Sequence, residues 1–165
     1  MKRIVISAGC FGGVEAYFQR LKGIVSTRVG YVNGNKDYPR YEELINQTAT
    51  HAEACELIYD ESVLPFKKIL EYMFRIIDPT SINRQGNDIG LQYRAGIYYS
   101  NNEDCIVAEN FISEISKKYH EKITVAIERE QGFFPAEEYH QDYLKKNPQG
   151  YCHVDFNLIK KEEHK

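Results

Sequence analysis

The feature that most limits how this chain can fold is the stretch 4–21, where strand-forming residues give way within a few positions to helical spacing. Ile4, Val5 and Ile6 read as a short strand, and Val14, Tyr17, Phe18 and Leu21 form the apolar stripe of a helix. Cys10 stands at the turn between them, flanked by Gly9 and by Phe11-Gly12-Gly13. A thiol placed there lies near the unpaired N–H groups of a helix start, whose partial positive charge favours the nucleophilic thiolate. A lone free cysteine is usually inert packing. Glycines on both sides argue otherwise, because a substrate needs close approach to the backbone and a packing site does not.

The rest of the chain continues the alternation. Strands are expected over 25–31, 53–59, 91–99 and 123–129, and helices over 12–21, 41–46, 65–76 and 103–119. Pro65 starts the third helix, and Phe66, Ile69, Leu70, Met73, Phe74 and Ile77 supply its stripe. A polar loop fills 78–90, a loop with a short helix fills 136–146, and a tail follows. This order predicts a sheet covered by helices, of α+β class. At 165 residues and 42% hydrophobic content, one domain over 1–165 with a single core is expected.

Composition excludes several functions. A net charge of −3 with scattered Lys and Arg leaves no footprint for nucleic acid. The apolar stretch before Cys10 is too short for a secretory leader and no run approaches a membrane span, so a cytoplasmic protein is expected. The four cysteines, at 10, 55, 105 and 152, form no C-x-x-C pair, which argues against a disulfide framework. No His or Cys pair stands at zinc-ligand spacing. Cys55 and Cys105 read as packing residues.

Other residues have chemical potential. The loop Asn83 to Arg94 is polar and glycine-punctuated, as turns and site-building loops both are. Glu53 opens a strand, where it is either a solvated surface glutamate or a desolvated carboxyl held protonated as a general acid. Thirteen tyrosines and no tryptophan place hydroxyls in loops, Tyr41 and Tyr93 among them.

In order and wording these fragments resemble the A-type peptide methionine sulfoxide reductases over nearly the whole chain. The family signature G-C-F-W-G reads Gly9-Cys10-Phe11-Gly12-Gly13 here. Gly30-Tyr31-Val32-Asn33-Gly34, Pro39-Arg40-Tyr41-Glu42-Glu43 and His51-Ala52-Glu53-Ala54 follow in family order. Arg84 to Asp88 with Gln92-Tyr93-Arg94, then Phe134 to Glu137 with Tyr139-His140-Gln141, complete the match. The resemblance implies a two-layer ferredoxin-like sheet with helices and long loops, and no bound cofactor or metal. It implies Cys10 as the nucleophile on the sulfoxide sulfur, and Glu53 as the acid that protonates the oxygen. Tyr41 and Tyr93 would hold that oxygen, Asp88 would support the polar side through a water, and Phe11 would wall the methyl group. Cys10 is left as a sulfenic acid.

Two departures stand out. Gly12 replaces the family's tryptophan, so another ring, from Phe133, Phe134 or the tyrosines, is expected over it. Gly150-Tyr151-Cys152 opens like the family's resolving segment but continues His153-Val154-Asp155 without glycines. Cys152 is thus the candidate resolving cysteine in a strand-like tail. The reductant implied is thioredoxin for an internal disulfide, or glutathione with glutaredoxin for a one-cysteine cycle. The rival readings are a peroxidase-like thiol enzyme using the same cysteine, and a methionine-oxide binding module without turnover.

Overall fold

Ile4, Val5 and Ile6 lie in the middle of β1 (Lys2–Ser7), and all three are buried because this strand has partners on both sides and cover on both faces. The structure is a computed structural model and describes residues 1–165. After β1 come α1 (Phe11–Gln19), β2 (Ile24–Val32), α2 (Tyr41–Ile45), β3 (Ala52–Tyr59) and α3 (Phe66–Arg75). The chain continues through β4 (Arg84–Gln85), β5 (Asp88–Ile89), β6 (Gly96–Tyr99), α4 (Asn102–Ser116), β7 (Ala126–Arg129), β8 (Phe133–Pro135) and α5 (Tyr143–Lys146).

Six strands form one sheet in the order β7-β6-β1-β3-β2-β8, and β4 pairs only with β5. Every pairing is antiparallel except β6 with β7, whose parallel register uses α4 as the crossover. Ile4, Ile6, Val29, Cys55, Leu57 and Ile97 pack in one core with Val14, Tyr17 and Phe18 of α1 and Ile69, Leu70 and Met73 of α3. Val5, Val32, Ala52, Ala54 and Tyr98 form a smaller cluster with Phe133. The architecture is therefore α+β, a mixed sheet with helices.

Local chemistry explains the differences from expectation. The strand expected over 91–99 begins only at Gly96, because Leu91–Tyr93 turn as a 3-10 helix after Gly90 at φ 150°. Arg94 fixes that turn by donating to the carbonyls of Leu91 at 3.0 Å and Thr50 at 2.9 Å. The loop 78–90 contains the β4–β5 hairpin, turning at Gly86 with φ 61°. β8 was not expected at all, being a three-residue edge strand that ends in Pro135. Cys55 is fully buried as expected, but Cys105 is half-exposed on α4 and donates to Glu109 Oε1 at 2.9 Å, so it is not a packing residue.

Candidate active site

Cys10 is the residue from which α1 starts, with extended backbone at φ −56° and ψ 120°. β1 and β3 are adjacent, with Ile6 opposite Cys55, so Glu53 reaches the same end of the sheet as the turn after β1. The Phe11 N–H donates to Glu53 Oε1 at 3.2 Å, and the second carboxyl oxygen, Oε2, is buried without a partner. Glu53 itself is only 1% exposed. Tyr41 is the first residue of α2, Tyr93 the last of the 3-10 turn, and Asp88 the first of β5. Together with Cys10, Phe11, Gly12 and Glu53 they line one cavity of about 220 Å³. All six residues singled out by resemblance as catalytic or substrate-binding thus meet in one place.

The electrostatics bear out one expectation and reverse another. Burial pushes the Glu53 carboxyl up to about 8, against the pull of the Phe11 N–H, so it is neutral at pH 7. Cys10 was expected to favour thiolate. Its thiol is instead pushed up to about 12, first by burial and then by the Glu53 charge, which outweigh the Gly12 and Gly13 N–H groups at the helix start. Burial likewise raises Tyr41 to about 12, and Tyr93 further, so both hydroxyls are neutral donors. Burial raises Asp88 too, and its Oδ2 is buried without a partner.

The gap at Gly12 is filled by a tyrosine. A Cβ at position 12 would stand 3.4 Å from Cδ2 of Tyr143, in ordinary contact with a ring carried by α5. Phe133 and Phe134 are not the replacement. Phe133 packs on Gly30, and the Phe134 ring lies tilted against Tyr38 with centroids 5.0 Å apart. Three cavity residues, His140, Tyr143 and Tyr151, were missed as site residues. The His140 ring lies 5.1 Å from Phe11 and 4.5 Å from Tyr41. Glu137 was missed as a support: it accepts from the Tyr31 hydroxyl at 2.7 Å and from the Tyr41 N–H at 3.0 Å.

Buried Glu15 fixes the entry to α5. It accepts from Asp142 N–H and from Thr27 Oγ1, both at 2.8 Å, while Asp142 adopts φ 53° and takes a 2.7 Å bond from Gln19.

The segment 151–155 is irregular rather than strand-like, and it lies on the start of α1. Cys152 is a free, half-buried thiol, 2.9 Å from where a Cβ on Gly13 would be. Gly13 shares the first turn of α1 with the residue after Cys10, so the tail seats Cys152 against the helix that Cys10 begins. Cys105 lines no part of the cavity. Nowhere do three His, Cys, Asp or Glu side chains converge as a metal site.

The α+β sheet thus brings a thiol and a protonated carboxyl into one aromatic, hydroxyl-lined cavity, the kind of site an enzyme uses. The chain belongs to the peptide methionine sulfoxide reductase family, whose model matches residues 2–165. It is 51% identical over 157 residues to the peptide methionine sulfoxide reductase MsrA of Clostridium tetani, covering 95% of this chain and 96% of that one. The crystal structure of Mxr1 from Saccharomyces cerevisiae in reduced form is 37% identical, with a TM-score of 0.86 over 92% of this chain and 88% of that one. Mxr1 in complex with Trx2 is also similar, at 25% identity and a TM-score of 0.62, over 86% of this chain and 84% of that one.

Proposed function

We propose that this chain reduces methionine-S-sulfoxide, free or in peptides, to methionine. The observation that carries the proposal is the unpartnered, buried Oε2 of a neutral Glu53 in the cavity that holds Cys10. A buried carboxylic acid with a free oxygen is costly to the fold and is poised to donate to a ligand. A peroxide also has a leaving oxygen to protonate, so the choice of sulfoxide over peroxide is carried by the family match over residues 2–165. The binding-only reading rested on the Gly12 gap, and Tyr143 fills that gap.

In the proposed step the Glu53 carboxyl and the Tyr41 and Tyr93 hydroxyls bond the sulfoxide oxygen, and Phe11 with Tyr143 walls the methyl group. Asp88, which lines the cavity beside Tyr151, supports the polar side, with a water as the intermediary to substrate. The Cys10 sulfur attacks the sulfoxide sulfur as Glu53 delivers its proton to the oxygen. The hydroxyl then passes from the methionine sulfur to the Cys10 sulfur as the sulfur–sulfur bond breaks, so that methionine leaves, Cys10 holds a sulfenic acid, and the thiol proton of Cys10 restores Glu53. Burial leaves little Cys10 thiolate in the empty site, so the thiol must give up its proton as its sulfur attacks, and a sulfoxide bonded to Glu53 keeps that neighbour neutral while it does so.

Cys152 is proposed to resolve the sulfenic acid as a disulfide, which thioredoxin then reduces. Its seat against Gly13 and the similarity to the Trx2-bound yeast protein support this over direct reduction by glutathione and glutaredoxin. We further read β6-β1-β3-β2 with α1 and α3 as a two-layer ferredoxin-like core. The whole of 1–165 serves as one catalytic domain, its core running from Ile4 to Ile159. The widely spaced free thiols suit the cytoplasm.

The test is one turnover of Cys152→Ser without reductant, in the presence of dimedone. One equivalent of methionine and a dimedone adduct on Cys10 are expected. An adduct elsewhere, or methionine without any adduct, contradicts the assignment of the nucleophile.

A further inference from the structure

His153 adjoins the candidate resolving cysteine and is held in one orientation. Its Nε2 lies 3.0 Å from the carbonyl oxygen of Ala8. A carbonyl only accepts, so Nε2 carries the proton and Nδ1 is a bare acceptor. That Nδ1 is buried and has no hydrogen-bond partner. A Cβ on Gly13 would stand 3.5 Å from this nitrogen and 2.9 Å from the Cys152 sulfur, so the lone pair and the thiol share one small space above the first turn of α1. On the other side of the ring, a Cβ on Gly9 would stand 2.9 Å from Nε2 and 2.8 Å from Cβ of Gln85. Cys152 and Asp88 are the ionisable groups that face the imidazole from the tail and from β5.

We propose that His153 is the base of the recycling half-reaction, taking the thiol proton of Cys152 as that sulfur attacks the sulfenic acid on Cys10. This rests on the roles proposed above for Cys10 and Cys152. The step balances without another reagent. A sulfur–sulfur bond forms, the sulfur–oxygen bond of the sulfenic acid breaks, and the departing hydroxide takes the proton from Nδ1 to leave as water. Cys152 is oxidised and Cys10 reduced, both to the disulfide level.

A base is needed because burial holds the Cys152 thiol above its ordinary value, leaving little thiolate at neutral pH. Burial acts in the opposite sense on His153 and keeps it neutral, the state a base requires. In the resting structure the thiol donates to the Val154 carbonyl at 3.5 Å and its sulfur accepts from the Val154 N–H at 3.4 Å, so the thiol proton must turn from that carbonyl to reach Nδ1.

The test separates the two half-reactions by rapid quench after a single turnover without reductant, measuring methionine and disulfide between pH 5 and 9. His153→Gln retains an N–H for Ala8 but offers no base. At pH 7 its disulfide formation is expected to slow by about 10- to 100-fold relative to its methionine burst. Its rate should then climb about tenfold per pH unit, following thiol ionisation. In the unaltered enzyme the disulfide rate should be level around neutrality and fall only below the ordinary histidine value of 6.5. Imidazole added to His153→Ala should restore part of the rate. Disulfide formation by His153→Gln at the unaltered rate and pH profile overturns the proposal. So does an unaltered enzyme whose rate keeps climbing with pH through 8, a result that needs no variant. Full thioredoxin-supported turnover by Cys152→Ser is a separate outcome, which removes the recycling scheme and the base with it.

Discussion

Replacing Glu53 by Gln should disable the enzyme and stabilise it at alkaline pH. The carboxyl ordinarily titrates near 4.5 and is held by burial up to about 8. Between those values the unfolded chain has released this proton and the folded chain has not. Stability is therefore unaffected below the lower value, falls as pH rises, and stops falling above the upper one. At about 1.4 kcal/mol per pH unit, Glu53 costs the fold about 5 kcal/mol at pH 9 and under about 1 kcal/mol at pH 5. Gln keeps an acceptor for the Phe11 N–H and never ionises, so any cost of its unpartnered NH₂ is the same at both pH values. Urea unfolding of both proteins should show the difference between Gln and Glu growing by about 4 kcal/mol from pH 5 to pH 9. Reduction of methionine-S-sulfoxide at pH 7 should fall by about 10²- to 10⁴-fold in the variant. An equal stability difference at the two pH values would refute the reasoning about the buried proton, and near-normal activity would refute the acid.

Further outcomes follow from the same site. Because the Glu53 charge helps hold the Cys10 thiol up, Glu53→Gln should make Cys10 react faster with iodoacetamide at pH 9 than it does in the parent; unchanged or slower alkylation counts against the coupling. Tyr41→Phe and Tyr93→Phe should each lower kcat by at least about tenfold with little change in KM, as loss of a donor to developing charge requires. Gly12→Trp should displace Tyr143, whose ring is already in contact at that position, and raise KM for methionine sulfoxide about 10-fold or more. Tyr143→Ala combined with Gly12→Trp should recover part of that loss, and strict additivity of the two changes would show that the rings do not compete.

The elements that could be read from the chain are those whose own residues decide them. The run at Ile4 to Ile6 and the stripe of α1 were both found to within a residue or two, as were β3 and α3. What escaped is decided by tertiary partners. β8 exists because Phe133 to Pro135 pair with Gly30 to Val32. The β7 strand starts late because Thr124 bonds to Pro79 instead of to a strand. Cys10 was legible from its strand-to-helix turn and Glu53 as a candidate acid, while the roles of Tyr41, Tyr93, Asp88 and Phe11 came from matched wording; the cavity gathers all six. Tyr143 and His153 match no family wording, and only folding brings them to Gly12 and Gly13. The Cys10 ionisation was misjudged because helix position is visible in sequence while burial beside Glu53 is not.

The central claim is that Cys10 and Glu53 form a stereospecific sulfoxide-reducing pair. Its most direct test supplies the S and R diastereomers of methionine sulfoxide separately, with dithiothreitol as reductant, and measures methionine. Turnover of the S form, none of the R form, and none of either by Cys10→Ser is the expected result. No methionine from the S form, or equal use of both forms, would contradict it.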